Sequence, residues 1–129
     1  MRKLARHLAP VALFALLTAV MTWPQAANLG TRAADHQDVY FNMWRFGWTA
    51  HALATAPQRV LDGNIFYPER RTLTFSDAMP VESAVAAPML WAGIRPVLVH
   101  NVMLLAGIVL SAAGTFVLAR RLTGRRTSA

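Results

Sequence analysis

The four residues Asp35-His36-Gln37-Asp38 bring two carboxylates and an imidazole into one short stretch of chain. Asp35, His36 and Asp38 can together coordinate a divalent cation, and a carboxylate at Asp38 or Asp35 can serve as a general base. The same residues have a plainer use, which spacing alone favours. Asp38 can cap a helix with its carboxylate while Asp35 and His36 stay solvated in a linker. Arg70 and Arg71 are adjacent rigid donors able to hold a phosphate, and Arg45 can assist them. Contacts with lipid headgroups or with Glu69 would occupy the same donors. His51 falls on an aromatic face, where an imidazole is more often an interfacial ring than a ligand. His100 and Asn101 fit helix packing or the rim of a pocket. No HExxH, CxxC, P-loop or GxSxG pattern is present, so no motif of fixed spacing assigns the chemistry.

The elements that must position these residues follow from where the apolar residues fall. The chain has 129 residues, of which 55% are hydrophobic, a high share for a small soluble domain. Two stretches hold most of them, Leu8 to Trp23 and Val97 to Ala119. The second has no charge in 23 residues; as a helix it is roughly 35 Å long, enough for a bilayer core of about 30 Å. The first reaches spanning length only if Leu4 to Leu8 joins it, with the Arg6 guanidinium extended back to the headgroups.

Charge placement sets the expected topology. The net charge of +7 suggests nucleic-acid binding until the cations are located. Arg2, Lys3 and Arg6 precede the first apolar stretch; Arg120, Arg121, Arg125 and Arg126 follow the second, and neither flank holds an acid. Between them six arginines meet all six acids of the chain. This is the positive-inside pattern: both termini are expected in the cytoplasm of a bacterial inner membrane protein, with an even number of crossings. The C-terminal arginine run abuts a span, so topology and lipid contact account for it and nucleic acid does not. A cleaved signal peptide is the competing account of the N-terminus, but Pro24 or Gln25 falls where a small residue is wanted. With no cysteine, packing or partners must order the extracytoplasmic loop.

The expected layout is an all-α membrane protein with two transmembrane helices. Residues 1–24 form the basic start and the first span, 25–95 the extracytoplasmic loop, 96–119 the second span, and 120–129 the basic cytoplasmic tail. The linker from Pro24 to Gln37 shows no periodicity and should be irregular. A juxtamembrane helix over about 38–54 is expected to lie flat, with Phe41, Trp44, Trp48 and His51 on one face and Asn42, Arg45 and Thr49 as a polar stripe. Pro57 to Asp77 should be a loop turning at Asp62-Gly63, able to cover the aromatic helix. Ser76 or Asp77 then caps a second short helix over about 77–92, and Pro96 suits the first turn of the second span. Gly107, Ser111 and Gly114, like Ala12, Ala15 and Ala19, provide small surfaces for close helix approach.

Several strings carry a resemblance. Asp38-Val39-Tyr40-Phe41-Asn42-Met43-Trp44-Arg45, His51-Ala52-Leu53, Asn64-Ile65-Phe66-Tyr67-Pro68 and Thr72-Leu73-Thr74-Phe75-Ser76-Asp77 resemble the N-terminal region of large bacterial polytopic membrane proteins of the GT-C glycosyltransferase type. The resemblance extends from the first apolar stretch to Leu122-Thr123-Gly124. It implies a multi-span enzyme that moves a sugar from a polyprenyl-phosphate carrier to an acceptor on the outer side. It also implies a carboxylate in the first outer loop acting as base or metal ligand, a position Asp38 matches best and Asp35 second. Arg45, Arg70, Arg71 and His51 would then contact the substrate, with the arginines on the carrier phosphate. Such proteins have about ten or more spans. The expectation is therefore a fragment, inactive by itself, whose partners are membrane lipids and the remaining transmembrane helices of a longer chain or a partner subunit. The alternative is a small non-catalytic membrane protein that binds lipid or a partner subunit. A transporter fragment would need charges inside the spans, and none follows Arg6 there.

Overall fold

The computed structural model describes residues 2–124, with side chains from residue 8 onward. The expectations that rest on the side chains of Arg2, Lys3 and Arg6, and on Arg125 and Arg126, lie outside the described residues. Four α-helices follow one another: α1 Arg2–Met21, α2 Gln37–Thr55, α3 Pro80–Trp91 and α4 Pro96–Thr123. Three short 3-10 turns, Gln25–Ala27, Pro57–Arg59 and Thr72–Phe75, lie between them, and no strand occurs among the described residues. The chain is all-helical, as its composition and periodicity imply.

The helices belong to two compact units. One consists of the segments ending at Asn28 and beginning at Leu104; the other is Leu29–Met103. In the first, α1 meets the later part of α4, and Phe14 and Phe116 pack edge to face with ring centroids 6.1 Å apart. Much of this unit's surface is aliphatic, with Leu8, Leu13, Leu16, Val20, Leu110, Leu118 and Leu122 exposed. Among the described residues one helix, α4, is long and apolar enough to cross a membrane, and none of its apolar window is buried by the rest of the chain. The apolar part of α1, Leu8–Met21, is shorter than that. The expectation of two spans is thus met in one helix by length and composition.

The second unit is built on the packing of α2 against α3. Small residues make the approach possible: Thr49, Ala50 and Ala52 on α2, and Ser83, Ala86 and Ala87 on α3, are all buried. Phe46, Ala86 and Val99 form its apolar centre, flanked by Met89, Leu90, Ile94 and Met103. The start of α4 is held here by Asn101, which is fully buried and donates through Nδ2 to the carbonyls of Leu29 and Arg32, each at 2.7 Å. Two donors on one side chain thereby order the linker ahead of α2.

Helix ends explain where the expected boundaries hold and where they move. Helix α2 spans the anticipated segment within a residue or two, but His36 caps it in place of Asp38. Its Nδ1 accepts from the Asp38 amide at 3.2 Å, which leaves Asp38 in the first turn with its charge near the helix N-terminus. Neither Ser76 nor Asp77 caps α3. That helix begins at Pro80, whose missing N–H costs nothing at the first position, after Met79 in a left-handed conformation at φ 46°. Its C-terminus is a Schellman motif. Gly93 at φ 79° donates to Leu90, and Ile94 donates to Met89 and packs into the same apolar cluster. Helix α4 starts at Pro96 as expected.

The segment from Pro57 to Asp77 does fold over the aromatic residues of α2. Trp44 Nε1 donates to Asn64 Oδ1 at 3.0 Å and Trp48 Nε1 to the Val60 carbonyl at 2.8 Å. Thr72 Oγ1 donates to the Gly63 carbonyl at 3.0 Å, and Leu73 N to the Leu61 carbonyl at 3.0 Å. Gly63 fits because it has no side chain: a Cβ there would lie 2.9 Å from Thr72 Oγ1 and 3.0 Å from the Trp44 ring. Gly63→Ala is expected to destabilise the protein by about 1–3 kcal/mol through this overlap. Gly47 sits mid-helix with open space where a Cβ would be. Gly47→Ala should therefore stabilise by about 0.5–1 kcal/mol. Unfolding followed by circular dichroism in detergent checks both, and the same sign for the two variants would contradict the packing described.

Candidate functional site

The first turn of α2 carries Asp38, and the bend just before the helix carries Asp35. Asp38 is exposed, with Oδ2 3.3 Å from His36 Nδ1, the same nitrogen that accepts from the Asp38 amide. Asp35 is also exposed and turns to Tyr40, whose hydroxyl donates to Oδ1 at 3.4 Å. The trio expected to hold a cation is therefore not gathered. Among the described residues no group of three His, Asp or Glu side chains is placed to hold a metal ion. The bonds account for this: His36 caps the start of α2, and Asp35 accepts from Tyr40.

Arg45, expected on a polar stripe of α2, is 5% exposed, and Thr49 is buried beside it. One guanidinium nitrogen donates to the Asp77 carbonyl and the other to Asn42 Oδ1, while the Phe41 ring lies 4.7 Å from the guanidinium carbon. Nε is buried without a partner. Burial pushes the Arg45 pKa below its ordinary value, and the charges of Asp77, Asp38 and Glu82 oppose that shift. Arginine stays charged regardless. The stripe of Asn42, Arg45 and Thr49 is thus the packed face of the helix, turned toward α3 and the segment before it. This arginine holds protein oxygens and is not placed to take a carrier phosphate. Asp77 and Glu82 join Asp38 in its electrostatic surroundings, and neither was a candidate from sequence. Only the spacing of Asp38, Asn42 and Arg45 at i, i+4 and i+7 hinted at one shared face.

Along the adjoining side of α2, Phe41 stacks on Trp44 with centroids 5.3 Å apart, and the Trp48 ring lies 5.8 Å from that of His51. His51 is exposed and lines two adjoining cavities. One, of about 240 Å³, is walled by Trp48, Thr55, Arg59 and Asp62; the other, of about 410 Å³, by Trp44, Gly47, Trp48 and Asn64. A groove with two indoles and several planar polar groups suits a small amphipathic ligand. His51 belongs to it, whereas Arg59, Asp62 and Asn64 come from the covering loop, and no helical spacing could have announced them.

Arg70 and Arg71 are both exposed on that loop. The Arg71 backbone N–H donates to Asp62 Oδ1 at 3.0 Å. This bond is the main cause holding the Asp62 carboxyl below the usual aspartate range; burial works against it, and Arg59 and Arg70 add to it. Comparison with protein-family models, curated proteins and solved structures finds no match to this chain.

Two outcomes follow from this geometry. Because the folded-state pKa of Asp62 is lowered, its contribution is complete above the unfolded value of about 3.9 and disappears as pH falls through the folded value. The Arg71 amide resonance should accordingly titrate with a midpoint below the usual aspartate range, and Asp62→Asn should remove that titration. Arg45→Ala should destabilise by about 2–4 kcal/mol, since it leaves the Asp77 carbonyl, Asn42 and three carboxylates without their cation. Arg45→Lys should recover only part of this, because an ammonium cannot span both acceptors in one plane.

Proposed function

We propose that this chain is the N-terminal part of an integral membrane glycosyltransferase of the GT-C type, using a polyprenyl-phosphate-linked sugar donor. The observation that carries the reading is the pair of exposed carboxylates, Asp35 and Asp38, at the start of a helix packed onto a unit from which the apolar α4 emerges. In this reading α4 and α1 both cross the bacterial inner membrane. Helix α1 has 20 residues, of which Leu8–Met21 form the apolar part, so it crosses by taking in Leu4 to Leu8 with the Arg6 guanidinium extended to the headgroups. Both termini are cytoplasmic, and Leu29–Met103 lies outside. Asp38 accepts the proton of the acceptor hydroxyl as that oxygen attacks the anomeric carbon, and the phosphate carrier departs with the bonding electrons. A divalent cation, where the reaction uses one, would have Asp38, Asp35 and His36 as its candidate ligands and would supply positive charge to the departing phosphate, although these side chains are not gathered in the structure. Arg70 and Arg71 supply the charge that holds the phosphate, and His51 lines the groove between α2 and the covering loop. The remaining spans of a longer chain, or a partner subunit, complete the carrier groove.

A second reading is a non-catalytic membrane protein whose outer unit takes a lipid or a partner subunit. The groove around Trp48 and His51 favours it, because that groove is formed without Asp35 or Asp38.

In the full-length protein, Asp38→Asn should abolish sugar transfer from a polyprenyl-phosphate donor while leaving expression and membrane insertion intact. Unchanged turnover would reject the base. The chain has no cysteine, so single cysteines report topology directly. A thiol at position 65 should react with a membrane-impermeant reagent in intact cells, and labelling at the termini instead would reverse the orientation.

A further inference from the structure

The covering loop has a tip that its own packing leaves uncovered. Its base is tied down by the bonds from Thr72 to Gly63, from Leu73 to Leu61 and from Arg71 to Asp62. Between these ties, Phe66 and Arg71 adopt left-handed conformations at φ 60° and 56°, and the Glu69 amide donates to the Phe66 carbonyl at 2.9 Å. The chain is thereby held in one shape, and that shape turns aromatic rings outward. Tyr67 is 97% exposed; Phe66 and Phe75, both more than half exposed, stack on one another at 6.0 Å. An ordered loop that presents three aromatic rings to water is costly unless a surface receives them, because each ring offers a large apolar area.

The charges beside the rings indicate what that surface is. Arg70 and Arg71 are exposed within the same tip, where the acid among them is Glu69, leaving an excess of one cation. Aromatic rings next to arginines are the composition of a membrane-interface contact: the rings enter the boundary between headgroups and acyl chains while the guanidinium groups stay among the phosphates. A protein groove would receive the rings but would not require the paired cations. The chain also contains α4, a helix able to keep this loop within reach of a bilayer.

We infer that Phe66, Tyr67, Arg70, Arg71 and Phe75 form an anchor that docks the outer unit onto an anionic phospholipid surface. The inference rests on α4 being inserted in a membrane, but it needs neither the sugar-transfer reaction nor the polyprenyl carrier. Docking of this kind fixes the height of α2 and its acidic first turn above the bilayer.

The test uses the full chain in vesicles of phosphatidylcholine with and without phosphatidylglycerol. Tyr67→Cys is labelled with an environment-sensitive fluorophore; at 97% exposure its replacement removes no packing. Gln58→Cys, exposed at the other end of the loop, serves as the reference position. The label at 67 should be quenched by a shallow lipid-borne quencher and protected from an aqueous one, more strongly with phosphatidylglycerol, and the label at 58 should not. Arg70→Glu together with Arg71→Glu should lower the immersed population roughly tenfold in the anionic vesicles, since each cation near such a surface contributes appreciably. Aqueous quenching of position 67 equal to that of position 58 overturns the anchor. So does protection that appears without lipid quenching, which would indicate a second copy or another protein. Extraction of the chain by alkaline carbonate would reject membrane insertion itself, and the anchor with it; retention with no lipid quenching would reject the anchor alone.

Discussion

A guanidinium placed inside the unit Leu29–Met103 constrains almost everything around it. Arg45 cannot shed its charge, and leaving that charge unpaired in a packed interior would cost several kcal/mol. The chain meets the requirement by bringing the Asp77 carbonyl and Asn42 to two of its nitrogens and the Phe41 ring to its face. Asp77 ends the covering segment and shortly precedes α3, so one side chain on α2 fixes where that segment stops and from which side α3 approaches. The carboxylates of Asp38, Asp77 and Glu82 contribute through their field, which offsets part of the desolvation.

Once α2 has turned its Arg45 face inward, the aromatic side of the helix needs another cover. The loop from Pro57 to Asp77 provides it through hydrogen bonds to both indole N–H groups. Indole is well suited to such a role, since its ring can pack while its single donor reaches a loop oxygen. Gly63 allows the loop to close against Trp44 without a clash. The groove at His51 and the exposed aromatic tip are both consequences of this closure. One lies where the loop meets the helix, and the other is the part of the loop that extends beyond its ties.

The exposed acids relate to this architecture differently. Asp35 and Asp38 contribute little to the packing, since both are exposed and bonded only to near neighbours in sequence. Carboxylates kept at the surface of an otherwise tied-down helix start remain available for chemistry. The base proposed at Asp38 would draw on that availability, while Arg45 is held by protein oxygens.

Local rules were enough to write down much of this chain. The helical segments, the proline at the start of α4 and the uncharged run after Pro96 are visible in sequence because periodicity, capping preference and hydropathy act over a few residues. Which face of α2 would be buried was not legible. Its aromatic stripe and its stripe of Asn42, Arg45 and Thr49 are both amphipathic candidates, and tertiary packing chose the one with small residues that could approach α3 closely. The caps at His36 and Met79 were hidden for a related reason, since a cap depends on the path by which the chain enters the helix as well as on residue type. Residue types along the chain settled which segments are helical and which are apolar. Only the folded arrangement settled which side chains meet, because contacts between residues far apart in sequence, such as Asn101 with Leu29 and Trp91 with Ala50, leave no periodic trace.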